Sequence, residues 1–171
     1  IGDVALKVEN LTLPGVFSDI SFDVHKGEIV GVGGLVGAGR TDVARALFGV
    51  EPAATGKIHV NGSEVAIGDP STAIDLGLAF VPEDRAVAGI FSSLSVEKNI
   101  SAAVPGKITS GGIIRRALEH AVASDSVKKL RIRLASLQQP IGELSGGNQQ
   151  KAILARWLLT DPSVLILDEP T

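Results

Sequence analysis

The chain has 171 residues, a formal net charge of -3 and a sequence pI near 5.6, so it has no basic field that would attract nucleic acid. It contains no cysteine, which excludes disulfides and thiolate metal sites. Mean hydropathy is +0.30, yet no apolar run reaches the roughly 18 residues of a membrane-spanning helix, so the apolar excess should form a core or a partner surface.

The first predicted elements are half-buried antiparallel strands. Rough alternation of apolar and polar residues over Val4 to Leu13 and Phe17 to Val24 predicts two strands around a turn. A second pair, Lys57 to Val60 and Glu64 to Ile67, flanks Asn61-Gly62, the dipeptide most typical of a tight hairpin. The first part of the chain should therefore contain an antiparallel β layer.

Three further runs are continuously apolar, as strands covered on both faces must be. They are Ile29 to Val32, Leu78 to Val81 and Val164 to Leu167, and they predict a parallel sheet. Helical patterns lie between them, at residues 41–48, 71–76, 95–103, 114–130 and 148–159. The predicted fold class is α/β, in one domain over residues 1–171, with a mostly helical insert at about residues 94–147.

The segment Gly34-Leu35-Val36-Gly37-Ala38-Gly39-Arg40-Thr41 joins the first apolar run to a predicted helix. Its glycines allow backbone N–H groups to converge on phosphate oxygens at a helix N-terminus, as in a P-loop. Arg40 stands where a P-loop has lysine, so a planar fork replaces a compact ammonium. The alternative is a glycine-rich turn without a ligand. The candidate nucleotide-binding residues are Gly34, Gly37, Ala38, Gly39, Arg40 and Thr41, and the Thr41 hydroxyl is also a candidate Mg²⁺ ligand.

Two carboxylates, Asp168 and Glu169, directly follow the last apolar run. Ligands of open α/β sheets bind at the carboxyl ends of the strands. We expect Asp168 to hold Mg²⁺ through water and Glu169 to act as the catalytic residue that polarises the attacking water. Alternatively, the pair simply ends a strand at the solvent boundary.

A second candidate anion site is Leu144-Ser145-Gly146-Gly147-Asn148-Gln149-Gln150, which leads into a helix. Ser145 can cap that helix, while the two glycines leave its backbone donors uncovered. The apolar face of the helix is predicted at Ile153, Leu154, Trp157 and Leu158, with Trp157 in the core. The side chains of Gln149 and Gln150 could equally belong to a solvated first helical turn.

These motifs together resemble the ABC ATPase family, whose signature begins LSGG and whose strand end reads DEP. The order of P-loop, LSGG and apolar strand with Asp-Glu is highly specific to that family. The resemblance implies that two such domains bind ATP and Mg²⁺ between them, because the signature of each completes the P-loop of the other. The signature residues facing the partner's ATP would be Ser145, Gly146, Gly147, Asn148 and Gln149.

More particular motifs narrow the resemblance. The loop Pro82-Glu83-Asp84-Arg85, the GAGRT P-loop and the LSGGNQQK signature are similar to the second nucleotide-binding half of fused, double-domain ATPases of monosaccharide importers. Importers of nucleosides and of furanosyl signalling molecules have similar halves. The resemblance implies an ATP hydrolase at the cytoplasmic face of the cell membrane. Its partners would be another ABC ATP-binding domain in the same polypeptide, membrane-spanning permease subunits and, indirectly, a solute-binding protein.

Several departures from the family pattern bear on catalysis. Besides Arg40, the loop at Pro82 to Arg85 lacks the usual Gln, and the early strand turn offers only Pro14 and Phe17 where an aromatic residue usually stacks on adenine. The family continues beyond Thr171 with a loop bearing Asp and a strand ending in His, and the start at Ile1 is interpreted as internal to a longer polypeptide. These departures leave a second hypothesis open, a largely non-catalytic half with a regulatory or structural role. A soluble ABC ATPase of DNA repair or translation would show coiled coils or a basic face, which this sequence lacks.

Overall fold

The computed structural model describes residues 2–35, 37–84 and 88–169. Val36 of the predicted phosphate loop, Arg85 of the Pro82 to Arg85 loop, and the terminal Ile1, Pro170 and Thr171 lie outside these residues. The chain divides into two units, each considered separately below. The first comprises Ile1–Phe80 with Pro162–Asp168, and the second comprises Val81–Asp161 with Glu169–Thr171.

A four-stranded antiparallel sheet makes up most of the first unit. Its strands are β1 (Val4–Leu13), β2 (Phe17–His25), β3 (Thr55–Val60) and β4 (Ser63–Val65), in the order β2-β1-β3-β4. The turn between β3 and β4 has positive φ at both Asn61 (50°) and Gly62 (84°), as the tight hairpin predicted from this dipeptide requires. Both predicted strand pairs are confirmed.

The remaining elements of the first unit alternate between helix and strand. Helix α1 (Arg40–Leu47) follows the glycine-rich segment, and α2 (Pro70–Asp75) begins where Asp69 Oδ1 accepts the N–H of Thr72 at 3.0 Å. Strands β5 (Leu78–Val81) and β8 (Val164–Leu167) form a parallel pair at the predicted positions. The predicted α/β class, with a parallel sheet and an antiparallel β subdomain, is confirmed.

The predicted central strand at Ile29 to Val32 is wrong. This segment is irregular, and Ile29 is 98% exposed while Val32 is 58% exposed. A strand forms only where a neighbour accepts and donates its backbone hydrogen bonds, and among the described residues no strand pairs with this segment. The apolar run therefore predicts burial, but these residues are not buried in the structure.

The second unit is mainly helical. Its helices are α3 (Val96–Ser101), α4 (Pro105–Ile108), α5 (Arg116–Leu130) and α6 (Gly146–Leu158), with a small hairpin of β6 (Thr109–Ser110) and β7 (Ile113–Ile114). Their apolar faces enclose one core, formed by Val96, Ile100, Ala123, Ile132, Ile141, Leu144, Ala152 and Ala155. Trp157, predicted to lie in the core, is only half-buried near the end of α6, and Leu158 is exposed.

The core of the second unit generates a stability prediction. Ile100 is fully buried, whereas Ile113 at the hairpin is 70% exposed. Replacing Ile100 with Ala should lower the free energy of unfolding by about 2–5 kcal/mol, because a cavity replaces packed methylenes. Urea denaturation followed by circular dichroism would measure the change. The control Ile113→Ala should change it by less than about 0.5 kcal/mol, and equal losses from both would contradict this core assignment.

Candidate nucleotide-binding site

The glycine-rich segment before α1 is held in a conformation that requires its glycines. Gly37 and Gly39 have φ of 82° and 79°, in the left-handed region that residues with a Cβ rarely adopt. A Cβ at Gly34 would lie 3.1 Å from the Cβ of Ala38, so the segment folds closely against the start of α1. Gly34, Gly37 and Ala38 are exposed. The segment therefore presents open backbone to solvent beside a helix N-terminus.

Helix α1 supplies the remaining predicted residues of this loop. Arg40 is its first residue and Thr41 its second, and both are half-buried. The first hydrogen bond of the helix runs from Val43 N to Gly39 O at 3.0 Å, so the preceding N–H groups are those that a helix start leaves without helical acceptors. Asp42, which the sequence analysis did not single out, adds a carboxylate to this first turn. This carboxylate interacts favourably with the helix dipole but repels a bound anion.

The two acidic candidates at the end of β8 differ in environment. Asp168 is buried, and its Oδ2 has no hydrogen-bond partner among the described residues. Glu169 is exposed and has a φ of 44°, an unusual value for a residue with a side chain. A buried carboxylate oxygen without a donor suits a hard divalent cation or its water shell. The surroundings of Asp168 therefore fit the predicted Mg²⁺ ligand.

The start of α6 is the second candidate anion site, and one prediction about it is wrong. Ser145 occupies the N-cap position, but its hydroxyl does not cap the backbone. The Asn148 side-chain amide instead donates to Ser145 Oγ at 2.9 Å. The carbonyl of Ser145 accepts the N–H groups of Asn148 and Gln149, both at 2.9 Å, and so begins the helix.

Gly147 occupies an open position at the start of α6. Gly147 is exposed, its φ is not positive, and a Cβ placed on it would meet no atom within 4 Å. Neither backbone conformation nor packing therefore requires glycine there. The start of α6 is therefore unobstructed at this position by the residues that the structure describes.

The side chains of Asn148 and Gln149 are used inside the protein. Asn148 Oδ1 accepts the N–H of Arg133 at 2.8 Å, and Gln149 Nε2 donates to the carbonyl of Leu144 at 2.9 Å. Both side chains hold the preceding loop against α6. Any contact of these two residues with a nucleotide is therefore left to their backbone or requires these bonds to break.

Sequence reasoning missed a buried polar cluster on α3 and α6. Arg156 is only 7% exposed and Asn99 is fully buried, and they hydrogen-bond to each other. Burial lowers the pKa of Arg156 to about 10, so the guanidinium remains protonated at neutral pH. The available signal was a charged residue three positions after Ile153, within the apolar face of an amphipathic helix.

A cleft of about 610 Å³ lies beside α3 and α5 in the same unit. At its wall, the buried Glu97 accepts hydrogen bonds from the side chains of His120 and Gln138. The sequence analysis gave His120 no role, and here it links α5 to α3. Within the described ranges, no group of three or more His, Asp or Glu side chains could hold a metal ion.

The sequence profile described as ABC transporter matches residues 17–171, and so includes both helix-start motifs and the acidic strand end. The chain belongs to the ABC transporter family. The predicted family is thereby confirmed. Of the helices that the structure describes, none has the length and apolar character needed to cross a bilayer.

Curated relatives match nearly the whole chain. A ribose/galactose/methyl galactoside import ATP-binding protein of Pseudomonas syringae pv. tomato is 51% identical over 99% of this chain and 32% of its own length. The ribose import ATP-binding protein RbsA 2 of Streptomyces avermitilis is 48% identical over 99% of this chain and 34% of its own length. The chain therefore spans about a third of the length of the curated relatives it matches.

Solved structures have the same fold. A bacterial Atm1-family ABC exporter with ATP bound aligns over 100% of this chain and 30% of its own, with a TM-score of 0.76 and 24% identity. An inward-facing metal-chelate type ABC transporter aligns over 99% of this chain and 61% of its own, with a TM-score of 0.74 and 26% identity. These likenesses support the ABC ATPase fold class given above.

The environment of Asp168 generates a prediction about metal dependence. In Mg-ATP, the wild-type chain should unfold at a higher temperature than in ATP with a chelator, because a ligand that binds the native state stabilises it. Asp168→Asn should abolish that difference, since the neutral amide attracts the cation less. Without Mg²⁺ the variant should be no less stable than wild type, because it removes an unpaired buried carboxylate. Thermal unfolding in both buffers tests this, and a Mg²⁺ effect that persists in the variant would contradict it.

Proposed function

We propose that this chain is an ATP-binding domain of an ABC-type ATPase that energises import of a sugar or sugar-like solute. The similarity to ribose and galactose import ATP-binding proteins, at about half identity over almost the whole chain, carries this proposal. The two open helix starts and the buried carboxylate support the nucleotide-binding part. Nucleoside or furanosyl solutes remain alternatives within the same class of importer.

The proposed nucleotide site uses backbone donors and a few side chains at the start of α1 and at the end of β8. Gly34, Gly37, Ala38, Gly39, Arg40 and Thr41 would bind the phosphates, and the Thr41 hydroxyl and Asp168 would hold Mg²⁺. Bound Mg²⁺ would neutralise charge on the β- and γ-phosphates. Glu169 would orient and polarise the attacking water as the catalytic residue. The carboxylate of Glu169 is exposed, so it is accessible to such a water.

Arg40 makes this site a degenerate one. The guanidinium is planar and wide, whereas a lysine ammonium is a compact charge that fits between two phosphates. Asp42 places a negative charge in the same helical turn. Both features weaken binding of a polyphosphate without removing the backbone donors. We therefore expect this site to contribute less to turnover than the site of its partner.

The start of α6 would serve that partner. By family resemblance, Ser145, Gly146, Gly147, Asn148 and Gln149 face ATP held by a second ABC domain in the same polypeptide. The clear space around Gly147 supports such an approach from outside. Permease subunits and a solute-binding protein would complete the assembly at the cytoplasmic face of the membrane, and no nucleic-acid partner is proposed.

A second candidate function is a largely non-catalytic half that lends its signature to the other domain. Arg40 and Asp42 favour this function, because both disfavour hydrolysis at the chain's own phosphate loop. Glu169 and the buried Asp168 favour an active site. The relative cost of damaging the two sites distinguishes the two functions.

In the complete transporter, Gly147→Trp should lower ATP turnover by about 10²- to 10³-fold, the usual cost of losing a charge-stabilising donor in a transition state. Arg40→Ala should cost much less, because the Arg40 site is already degenerate. Solute-stimulated phosphate release and solute uptake in reconstituted vesicles would measure both. Absence of any solute-dependent turnover in the wild type would refute the importer function itself.

A matched control separates loss of function from misfolding. Gly106 in α4 also lacks any atom within 4 Å of a built Cβ, so Gly106→Trp adds the same bulk away from the signature. It should leave turnover near the wild-type rate. Equal losses from Gly147→Trp and Arg40→Ala, or a larger loss from Arg40→Ala, would contradict the asymmetric assignment.

The isolated chain should not hydrolyse ATP at a useful rate. By family resemblance, hydrolysis requires the signature of a second domain. Two copies of this chain would form sites that each contain Arg40 and lack both the usual lysine and the loop Gln. Groups that act as a unit cannot be replaced by those that remain. Phosphate release should be measured over a range of protein concentrations, with Glu169→Gln as the control. Turnover that rises with concentration and disappears in that control would refute the prediction.

A further inference from the structure

Arg156, on the α6 helix that carries the signature motif, has its charge buried among neutral acceptors. Its Nε donates to the carbonyl of Asn99 at 2.6 Å, and its Nη1 donates to the carbonyl of Gly89 at 2.9 Å. The third bond runs from Nη2 to Asn99 Oδ1 at 2.9 Å. The guanidinium also lies 5.2 Å from the centre of the Phe91 ring. One side chain thus fixes both α3 and the segment at 89–91.

Asn99 holds the same segment from the other side. Its Oδ1 accepts the N–H of Phe91 at 2.9 Å, and its Nδ2 donates to the carbonyls of Phe91, Leu94 and Ser95 at 3.0–3.2 Å. Backbone bonds also hold this stretch, from Gly142 N to Ser92 O at 3.3 Å and from Ile141 N to Leu94 O at 3.0 Å. Arg156 and Asn99 add the buried side-chain bonds that fix its first part, from Gly89 to Phe91.

Burial of the Arg156 guanidinium costs free energy unless the geometry of its three hydrogen bonds offsets that cost. Moving a cation out of water carries a penalty, and apolar side chains of similar volume often replace buried charges without loss of stability. Lysine would keep the charge, but its single ammonium cannot reach three acceptors arranged around a planar fork. The position therefore selects for a defined geometry rather than for charge alone.

The clamped segment connects two motifs found in the sequence. It follows the loop that begins at Pro82 and precedes α3, while α6 begins at Gly146, directly after its N-cap residue Ser145. The first turns of α6 are tied elsewhere, through Asn148 to Arg133 N and through Lys151 Nζ to Arg131 O at 3.2 Å. Helix α6 is thus tied to residues 131 and 133 near its start and to the segment at 89–95 through Arg156.

We propose that Arg156 is a positioning residue that couples the phosphate-facing start of α6 to the segment at 89–95. The coupling rests on the function proposed above, in which Ser145 to Gly147 face the nucleotide of the partner domain. When that nucleotide moves α6, the three hydrogen bonds of the guanidinium would carry the segment at 89–95 along. Arg156 itself touches no reacting atom.

Hydrogen exchange of the 171-residue chain tests the clamp without reference to ATP. Arg156→Lys should speed exchange of the amides at 88–95 by at least about 10-fold, the factor expected from losing one charge-assisted hydrogen bond. Amides of the antiparallel sheet should be unchanged. Arg133→Lys makes the same substitution at an exposed position of the same unit and should have no effect. Unchanged exchange at 88–95 in Arg156→Lys, or uniformly faster exchange throughout the chain, would overturn the proposal.

Kinetics of the complete ATPase test the coupling. Arg156→Lys should lower kcat by roughly 10- to 100-fold while KM for ATP changes little, because misplacement of positioned groups affects the transition state and not the initial binding. A merely structural defect would lower kcat only in proportion to the folded fraction, which circular dichroism measures independently. An unchanged kcat would refute the coupling. A wild-type protein without turnover would refute the proposed function instead, and the exchange experiment would still decide the clamp.

Discussion

An α-helix leaves its first backbone N–H groups without acceptors inside the helix, and this constraint shapes both candidate sites. Before α1, glycines at positive φ keep bulky side chains away from those N–H groups. Before α6, the hydroxyl of Ser145 accepts a hydrogen bond from the Asn148 side chain and does not cap the backbone. Neither helix start has a side-chain cap, although Asp42 places a carboxylate in the first turn of α1.

The elements that follow from local chemistry could be predicted from sequence. Asn61-Gly62 dictates a hairpin because both residues tolerate positive φ, and the four-residue apolar runs of β5 and β8 require cover on both faces. The run at Ile29 to Val32 has the same pattern and yet forms no strand. A hydrophobic pattern records what a segment would gain from burial, but pairing also depends on a second segment, and that information is not local.

The candidate site shows the same difference between features set by local sequence and features set by long-range contacts. The phosphate loop, the acidic strand end and the signature could be proposed as candidates from sequence because each is a short motif whose geometry arises within a few residues. Arg156 and Asn99 were not found, because their contacts join residues 57 positions apart along the chain. Ser145 was assigned a capping bond that its neighbour Asn148 takes instead. Competition between a side-chain amide and a backbone N–H for the same hydroxyl oxygen is decided by packing, which sequence patterns do not contain.

The half-buried Trp157 has a practical consequence for studying this protein. The sequence contains one tryptophan and no tyrosine, so near-ultraviolet emission excited at long wavelength comes from a single indole. Trp157 follows Arg156 directly on α6, and its backbone carbonyl accepts a hydrogen bond from the hydroxyl of Thr160 at 2.7 Å. An indole at the boundary between protein and water changes colour and intensity when its surroundings shift. The wild-type chain therefore carries a built-in optical reporter on the helix that bears the signature motif, and it needs no added dye.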